Sequence, residues 1–362
     1  MIDTAFWKGR RVFVTGHTGF KGAWLVLLLK RLGSDITGFS LAPPTEPSLF
    51  DGADAAHGIK SIVGDVRDLP ALTRAVASAK PEIVIHLAAQ SLVRPSYEDP
   101  VGTYATNVQG SVHLLEAVRQ TSGVRAVVMV TSDKCYDNRE WTWGYREVDR
   151  LGGKDPYSNS KACAELVTAG YRASFFPPDR LHEHGVGIAT ARAGNVIGGG
   201  DWSFMRIVPD LMRGFLSGEP VIVRSPSAVR PWQHVLDPLT GYMMLAERLW
   251  RGDAAFASPW NFGPVDADAR PVSWLADRLV QLWDDRDSAK WVVEEAVDAK
   301  ETGLLRLDSS HARNCLGWRP RWNVDAALEH TAGWYRAYGR NNSVAAVRAA
   351  TESDIDSYLT RT

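Results

Sequence analysis

Between Val12 and about Val196, short apolar runs alternate with longer stretches whose apolar residues recur every three or four positions. The runs Val12–Thr15, Asp35–Phe39, Lys60–Val63, Glu82–Ala88, Ala126–Thr131 and Val186–Ala191 read as strands of a parallel sheet covered on both faces. Between them Ala23–Leu29, Leu69–Ala79, Val101–Gln120 and Pro156–Arg172 read as helices, the last opening on a proline suited to a first helical turn. Six such strands predict an α/β, doubly wound parallel sheet, the Rossmann arrangement. After Gly198-Gly199-Gly200 the regularity fails, because eight prolines from Pro209 to Pro271 break the chain into short pieces around helices at Leu236–Trp250 and Val272–Trp283. A smaller, irregular α/β C-terminal substrate domain is expected there. The expected division gives residues 1–196 to a dinucleotide-binding domain, with 236–262 returning to it. Residues 197–235 and 263–340 form the substrate domain, and 341–362 a terminal helix or tail.

The first strand stops at Thr15 and runs into glycines at Gly16, Gly19 and Gly22 ahead of the first long apolar helix. In a strand, turn, helix unit Gly16 permits the bend. Gly19 lets backbone N–H groups approach a pyrophosphate, and Gly22 lets the helix lie close on the strand. A mononucleotide P-loop is the competing reading. It fails because Lys21 follows Phe20 rather than the last glycine and no Ser or Thr succeeds it.

Composition narrows the partners. Lys plus Arg number 41 and Asp plus Glu 42, so global charge asks for neither nucleic acid nor an anionic membrane, and a small substrate is expected. Cys135, Cys163 and Cys315 are odd in number and far apart, which argues against a disulfide framework and a zinc knuckle. No apolar run reaches about 18 residues and no signal-peptide region is visible, so a cytoplasmic location is expected. His182 and His184 lack a third and fourth ligand at suitable spacing, and no metal is expected.

Ligands of an open parallel sheet gather beyond the carboxyl ends of its strands. After the third strand comes Asp65-Val66, where Asp65 could accept a hydrogen bond from adenine or cap the next helix. After the fourth come Ala88, Ala89 and Gln90, small enough at the start for a ribose or nicotinamide to pass. After the fifth comes Thr131-Ser132-Asp133-Lys134-Cys135-Tyr136, a cluster dense in ionisable groups and the expected reaction centre. Tyr157 and Lys161, four apart on the next helix, share one face. A Lys161 ammonium about 5 Å from the phenol would favour phenolate by roughly 3 kcal/mol, or about two pKa units. Ser40 ends the second strand where many NAD enzymes carry an acid, so that position does not decide the cofactor.

TGHTGFKGAWL, SLAPPTEPSLF, TSDKCYDNREWTWGYRE, DPYSNSKACAELV, ARAGNVIGGGDW and RPWQHVLDPLTGY, in this order over nearly the whole chain, resemble the extended short-chain dehydrogenase/reductase superfamily. Within it they are most similar to the sugar-nucleotide dehydratase branch that takes CDP-glucose. The resemblance implies NAD as cofactor, held by Gly16, Thr18, Gly19, Phe20, Gly22, Asp65, Val66, Ala88, Ala89, Gln90, Asn107, Tyr157 and Lys161. It implies Ser132, Asp133, Lys134, Tyr157 and Lys161 as catalytic, with Asn195, Arg230 and His234 on the substrate. Trp232 could stack on a ligand or belong to the core. The implied reaction oxidises carbon 4 of a nucleotide hexose, expels water across carbons 5 and 6, and returns the hydride to carbon 6. Members acting on dTDP-glucose carry Asp–Glu at the acid–base pair. Lys134 departs from them and agrees with the CDP-glucose branch. A homodimer or tetramer is expected. Another sugar-nucleotide dehydratase, an epimerase or a decarboxylase on the same fold, and a silent dinucleotide-binding regulator, are the rival readings.

Overall fold

The computed structural model describes residues 1–285, 287, 289–293 and 304–360. Residues 294–303, inside the expected 263–340 segment, and 361–362, at the end of the expected terminal segment, lie outside the described residues. In chain order the strands are β1 (Arg11–Thr15), β2 (Asp35–Ser40), β3 (Lys60–Val63), β4 (Ile83–His86), β5 (Ala126–Val130) and β6 (Gly187–Ala193). Then follow β7 (Val196–Ile197), β8 (Val221–Val223), β9 (Val229–Pro231), β10 (Gln233–His234), β11 (Pro259–Phe262), β12 (Ala269–Pro271) and β13 (Trp291–Val293).

Seven of these form one sheet in the order β11-β6-β5-β4-β1-β2-β3, every neighbouring pair parallel. The chain starts in the middle and winds outward both ways, so a crevice opens where β1 and β4 diverge. Alternate residues face opposite layers. Val12, Val14, Ile83, Ile85 and Val128 pack with helices Phe20–Arg31 and Leu236–Trp250. Phe13, Val84, Val127 and Met129 pack with Leu72 and Val76 of helix Leu69–Ala79 and Leu114 and Val118 of helix Gly110–Arg119. The short pairs β7 with β10, β9 with β12 and β8 with β13 follow the proline-rich part of the chain.

The expected strands and helices recur, most with shifted ends, helices Ile207–Ser217 and Val324–Arg340 add to them, and three differences bear on the site. A seventh strand, β11, closes the edge beside β6, its Asn261 paired in register with Arg192. The fourth strand ends at His86 rather than Ala88, because Thr15 Oγ1 receives Ala88 N at 3.2 Å and contacts His86 Nδ1 at 2.7 Å, turning the chain toward the glycine turn. The expected helix Val101–Gln120 is Pro100–Tyr104 and Gly110–Arg119 joined by a wide π-turn, Ala105–Gln109, which aims Asn107 inward.

Of the two readings of the terminal segment, the helix is the one observed, Val344–Thr360. Its Val347, Ile355 and Tyr358 are buried. Tyr358 donates to Oδ1 of Asp237, at 2.6 Å, and Arg321 N donates to the same oxygen at 2.7 Å. Burial pushes the Asp237 carboxyl up to about 7. Replacing Tyr358 by Phe leaves this buried acid with one donor fewer, so the variant loses about 1–3 kcal/mol of stability. Urea unfolding of the two proteins measures it.

Candidate active site

Thr15 hands the chain to Gly16, whose φ of +73° suits glycine and whose added Cβ would lie 2.6 Å from Ala88 N. A Cβ on Gly22 would lie 2.1 Å from Gly16 O, so both glycines are set by close backbone approach. Gly19 is the N-cap of helix Phe20–Arg31, with no side-chain cap and no acid in the first turn. Its leading N–H groups and the positive end of the helix dipole therefore face outward, an arrangement that fits a dinucleotide diphosphate. Thr18 Oγ1 contacts Ser40 Oγ at 2.8 Å and donates to Leu41 O at 2.9 Å, tying the turn to the end of β2. Phe20 packs against Gly198.

On the far side of the crevice Ala88, Ala89 and Gln90 follow β4 and are partly exposed. Asn107 grips this loop: Oδ1 receives Gln90 N at 2.8 Å, while Nδ2 donates to Gln90 O at 2.9 Å and to Ser160 Oγ at 2.9 Å. The same helix, Pro156–Phe175, begins with Asp155 accepting from Ser158 N at 2.9 Å and carries Tyr157 and Lys161 into the crevice. Ser132-Asp133-Lys134 turns over its first turn. Ser132 Oγ donates to Asp133 Oδ1 at 2.9 Å, and the Lys134 ammonium lies 5.9 Å from the centre of the Tyr157 ring.

Desolvation sets the charges. Burial pushes the Asp133 carboxyl up from its ordinary value, against the opposing pull of Lys134, the Ser132 hydrogen bond, Lys21 and Arg230. Oδ2 of Asp133 is buried without a hydrogen-bond partner and lies against Gly194, where an added Cβ would approach it to 2.9 Å. Burial also pushes the Tyr157 phenol up to about 12, with a Ser132 hydrogen bond opposing, and draws Lys161 down to about 8. The phenol lowered by Lys161, expected from the i,i+4 spacing, is not found. Lys161 Nζ turns to Val130 O at 3.4 Å, and the cation that favours Tyr157 ionisation is Arg206.

Three expected positions differ in their surroundings. The Asp65 carboxylate is taken by Arg67, Nη2 to Oδ2 at 2.6 Å, which holds it below the usual carboxylate range. The neighbouring helix is capped by Asp68 instead, and Val66 O meets His113 Nδ1 at 2.9 Å. Trp232 is core, its indole N–H donating to Arg270 O at 3.0 Å. His234, expected on the substrate, is fully buried among Trp24, Trp322 and His330, its Nδ1 accepting from Leu236 N at 3.3 Å. Arg230 lies within the field of Asp133, and the backbone of Asn195 accepts from Gln233 N at 3.2 Å.

Two cations escaped the sequence reading. Lys21, rejected as a P-loop lysine, is drawn down to about 8 by burial, with Arg206 and Lys161 adding to the fall and Asp133 opposing it. Arg206 bridges Asp201, at 3.2 Å, and Ser91 Oγ, at 3.2 Å, across the crevice. No periodicity marks either. The signal for Lys21 was its place in the first turn of the helix whose uncapped N-terminus fits a diphosphate.

A sheet with this switch point, carrying a tyrosine and a lysine on one helix under an acid-bearing turn, defines a dinucleotide-dependent site for hydride and proton transfer at a hydroxyl-bearing carbon. The NAD dependent epimerase/dehydratase family matches residues 12–256, and the chain belongs to that family. It is 51% identical over 361 residues to the CDP-glucose 4,6-dehydratase of Salmonella typhimurium (strain LT2), covering 100% of both chains. In structure it is similar to MoeE5 in complex with UDP-glucose and NAD, at a TM-score of 0.75 and 25% identity over 90% of this chain and 98% of that one. The UDP-glucose 4-epimerase of Thermus thermophilus shares the fold, at a TM-score of 0.76 and 24% identity over 90% and 98%.

A charge-assisted contact contributes about 1.5–3 kcal/mol. Lys21→Met therefore weakens NAD or the nucleotide sugar by about tenfold or more. Calorimetric titration of both ligands into the variant checks this, and unchanged affinity for both would remove Lys21 from the site.

Proposed function

We propose that this protein dehydrates CDP-glucose to CDP-4-keto-6-deoxyglucose, with residues 1–196 and 236–262 holding NAD and 197–235 and 263–340 the nucleotide sugar. The observation that carries the reading is Asp133: a buried carboxyl pushed toward its neutral form, one oxygen without a partner, beside Lys134, whose ammonium lies over the Tyr157 ring. A 4-epimerase also oxidises carbon 4 but expels no water, so it has no use for a protonated acid at this place. The relative in Salmonella typhimurium supports the same choice over its whole length.

Bound NAD supplies the hydride acceptor for carbon 4, the hydride donor for carbon 6, and a positive ring that favours phenolate. Tyr157 accepts the proton of the 4-hydroxyl as the carbonyl forms. That carbonyl acidifies the hydrogen on carbon 5, which Lys134 takes as a neutral amine. Asp133 gives its proton to the 6-hydroxyl, which leaves as water. Arg230, with its forked donors, and Asn195 hold the diphosphate. A second reading follows from the position of Lys134 over the Tyr157 ring, since a cation 5.9 Å from a ring centre favours the charged form. There Lys134 stays an ammonium and stabilises the enolate.

We place the protein in the cytoplasm as a homodimer. Cys135, Cys163 and Cys315 are free, as suits a reducing compartment. Exposed Tyr97, Val101, Tyr104, Leu166 and Phe175 give apolar surface for a second copy to cover. Among the described residues no helix is long and apolar enough to cross a membrane.

Assay of the 4-keto sugar with CDP-, dTDP-, UDP- and GDP-glucose tests the activity. CDP-glucose gives the highest kcat/KM, because a wrong base leaves a buried hydrogen-bonding group unpaired. Equal kcat/KM with dTDP-glucose would refute the assignment of the branch. Lys134→Met tests the base. It spares Tyr157, so single-turnover oxidation at carbon 4 continues, while exchange of the carbon-5 hydrogen with deuterated solvent slows by about a hundredfold. Undiminished exchange would leave Lys134 the role of a local charge.

A further inference from the structure

Behind the reaction centre, the structure places an ion pair that touches neither ligand crevice nor solvent. Glu165 stands one turn beyond Lys161 on helix Pro156–Phe175, and its side chain and that of Arg192 on β6 are each 3% exposed. Glu165 Oε1 accepts from Thr131 Oγ1, while Oε2 accepts from Thr190 Oγ1 at 2.7 Å and from Arg192 Nη2 at 2.8 Å. Arg192 Nη1 donates to the Tyr136 hydroxyl at 2.8 Å and to Glu147 O at 3.1 Å. That hydroxyl donates to Asn261 Oδ1 at 2.7 Å, and Asn261 Nδ2 donates on to Tyr145 O at 2.8 Å and Asp308 O at 3.1 Å.

Thr131 and Tyr136 are the two ends of the segment that carries Ser132, Asp133 and Lys134. We propose that the Glu165–Arg192 pair positions the reaction centre, fastening both ends of the Thr131–Tyr136 segment to the helix that carries Tyr157 and Lys161. The inference rests on the dehydratase reading and adds to it residues that act through others. A buried ion pair is weak support for stability, because desolvating two charges offsets most of their attraction and apolar replacements often serve as well. What this pair adds is geometry: it makes the acid-bearing turn and the tyrosine helix one rigid unit.

A second consequence is electrostatic. Lys161 is faced by Glu165 from its own helix, Cys135 from the reaction turn, His86 from β4 and Lys21 from helix Phe20–Arg31, with Val130 O at 3.4 Å. Burial lowers it to about 8, and Glu165 is the first group opposing that fall. An ammonium with a lowered pKa is present below that value and lost as pH rises through it. Neutralising Glu165 moves the loss to lower pH.

The test measures kcat, KM and the pH profile of 4-keto sugar formation by the NAD-loaded enzyme with CDP-glucose. Tyr136→Phe keeps the ring and drops the bridging hydroxyl. Misplacement of about 1 Å can cost a hundredfold in rate, so this partial loosening lowers kcat by about tenfold, with KM and the basic limb unchanged. Glu165→Gln lowers kcat further and shifts the basic limb by about one unit toward acid. Glu165→Asp restores the limb. Should Glu165→Gln fail to fold, Tyr136→Phe and Glu165→Asp decide. An active wild type whose Tyr136→Phe variant keeps its kcat within about twofold would overturn this inference alone. So would a Glu165→Gln variant with an unshifted limb. A wild type that forms no keto sugar would overturn the dehydratase reading and this inference with it.

Discussion

Asp133 is a carboxyl group with almost no access to water, one oxygen on Ser132 and the other on nothing. Charging it means holding an anion in a crevice that has lost its solvent, and the cations Lys134, Lys21 and Arg230 are what oppose that penalty. Desolvation also keeps the Tyr157 phenol protonated and loosens the proton of Lys161. The same scarcity of water thus prepares an acid and leaves a tyrosine and a lysine dependent on incoming charge. A substrate diphosphate and a cationic nicotinamide are the kinds of group that change this balance, so the resting site is poised for its ligands rather than for catalysis in their absence.

The scaffold explains how such groups are gathered out of reach of bulk solvent. Thr15, His86 and Ala88 bring the ends of β1 and β4 together, and Gly16 allows the backbones to touch there. Asn107, offered by the π-turn, locks the next loop to Ser160, whose hydroxyl donates to Tyr157 O at 2.7 Å. Arg206 closes the other wall through Ser91 and Asp201. Farther out, the terminal helix seals Asp237 with Tyr358, anchoring helix Leu236–Trp250 beneath β5 and β6.

Much of this was legible in the sequence where local chemistry and tertiary role agree. Helices Leu69–Ala79 and Leu236–Trp250 have the bounds that their apolar spacing and flanking residues give, and the glycine turn and the Tyr157–Lys161 helix lie at the expected crevice. The misses have physical causes. β11 is four residues opening on a proline, too short for a period to show. Lys21 and Arg206 act through position in space, and a residue-spacing pattern carries no trace of that. The i,i+4 spacing of Tyr157 and Lys161 suggests a lowered phenol, but burial raises it and the Lys161 ammonium turns to Val130 O instead. Asp65 is held by Arg67, two residues on, and His234 is enclosed by Trp24, Trp322 and His330, partners that no spacing pattern singles out.

Internal transfer of one hydrogen from carbon 4 to carbon 6 is the central claim, and it can be followed by label. CDP-glucose carrying deuterium at carbon 4 is turned over in ordinary water, and the product is read by NMR and mass spectrometry. The account predicts deuterium in the carbon-6 methyl group and a solvent hydrogen at carbon 5. Deuterium retained at carbon 4 of an epimerised sugar, or a product whose methyl group carries none, would contradict it.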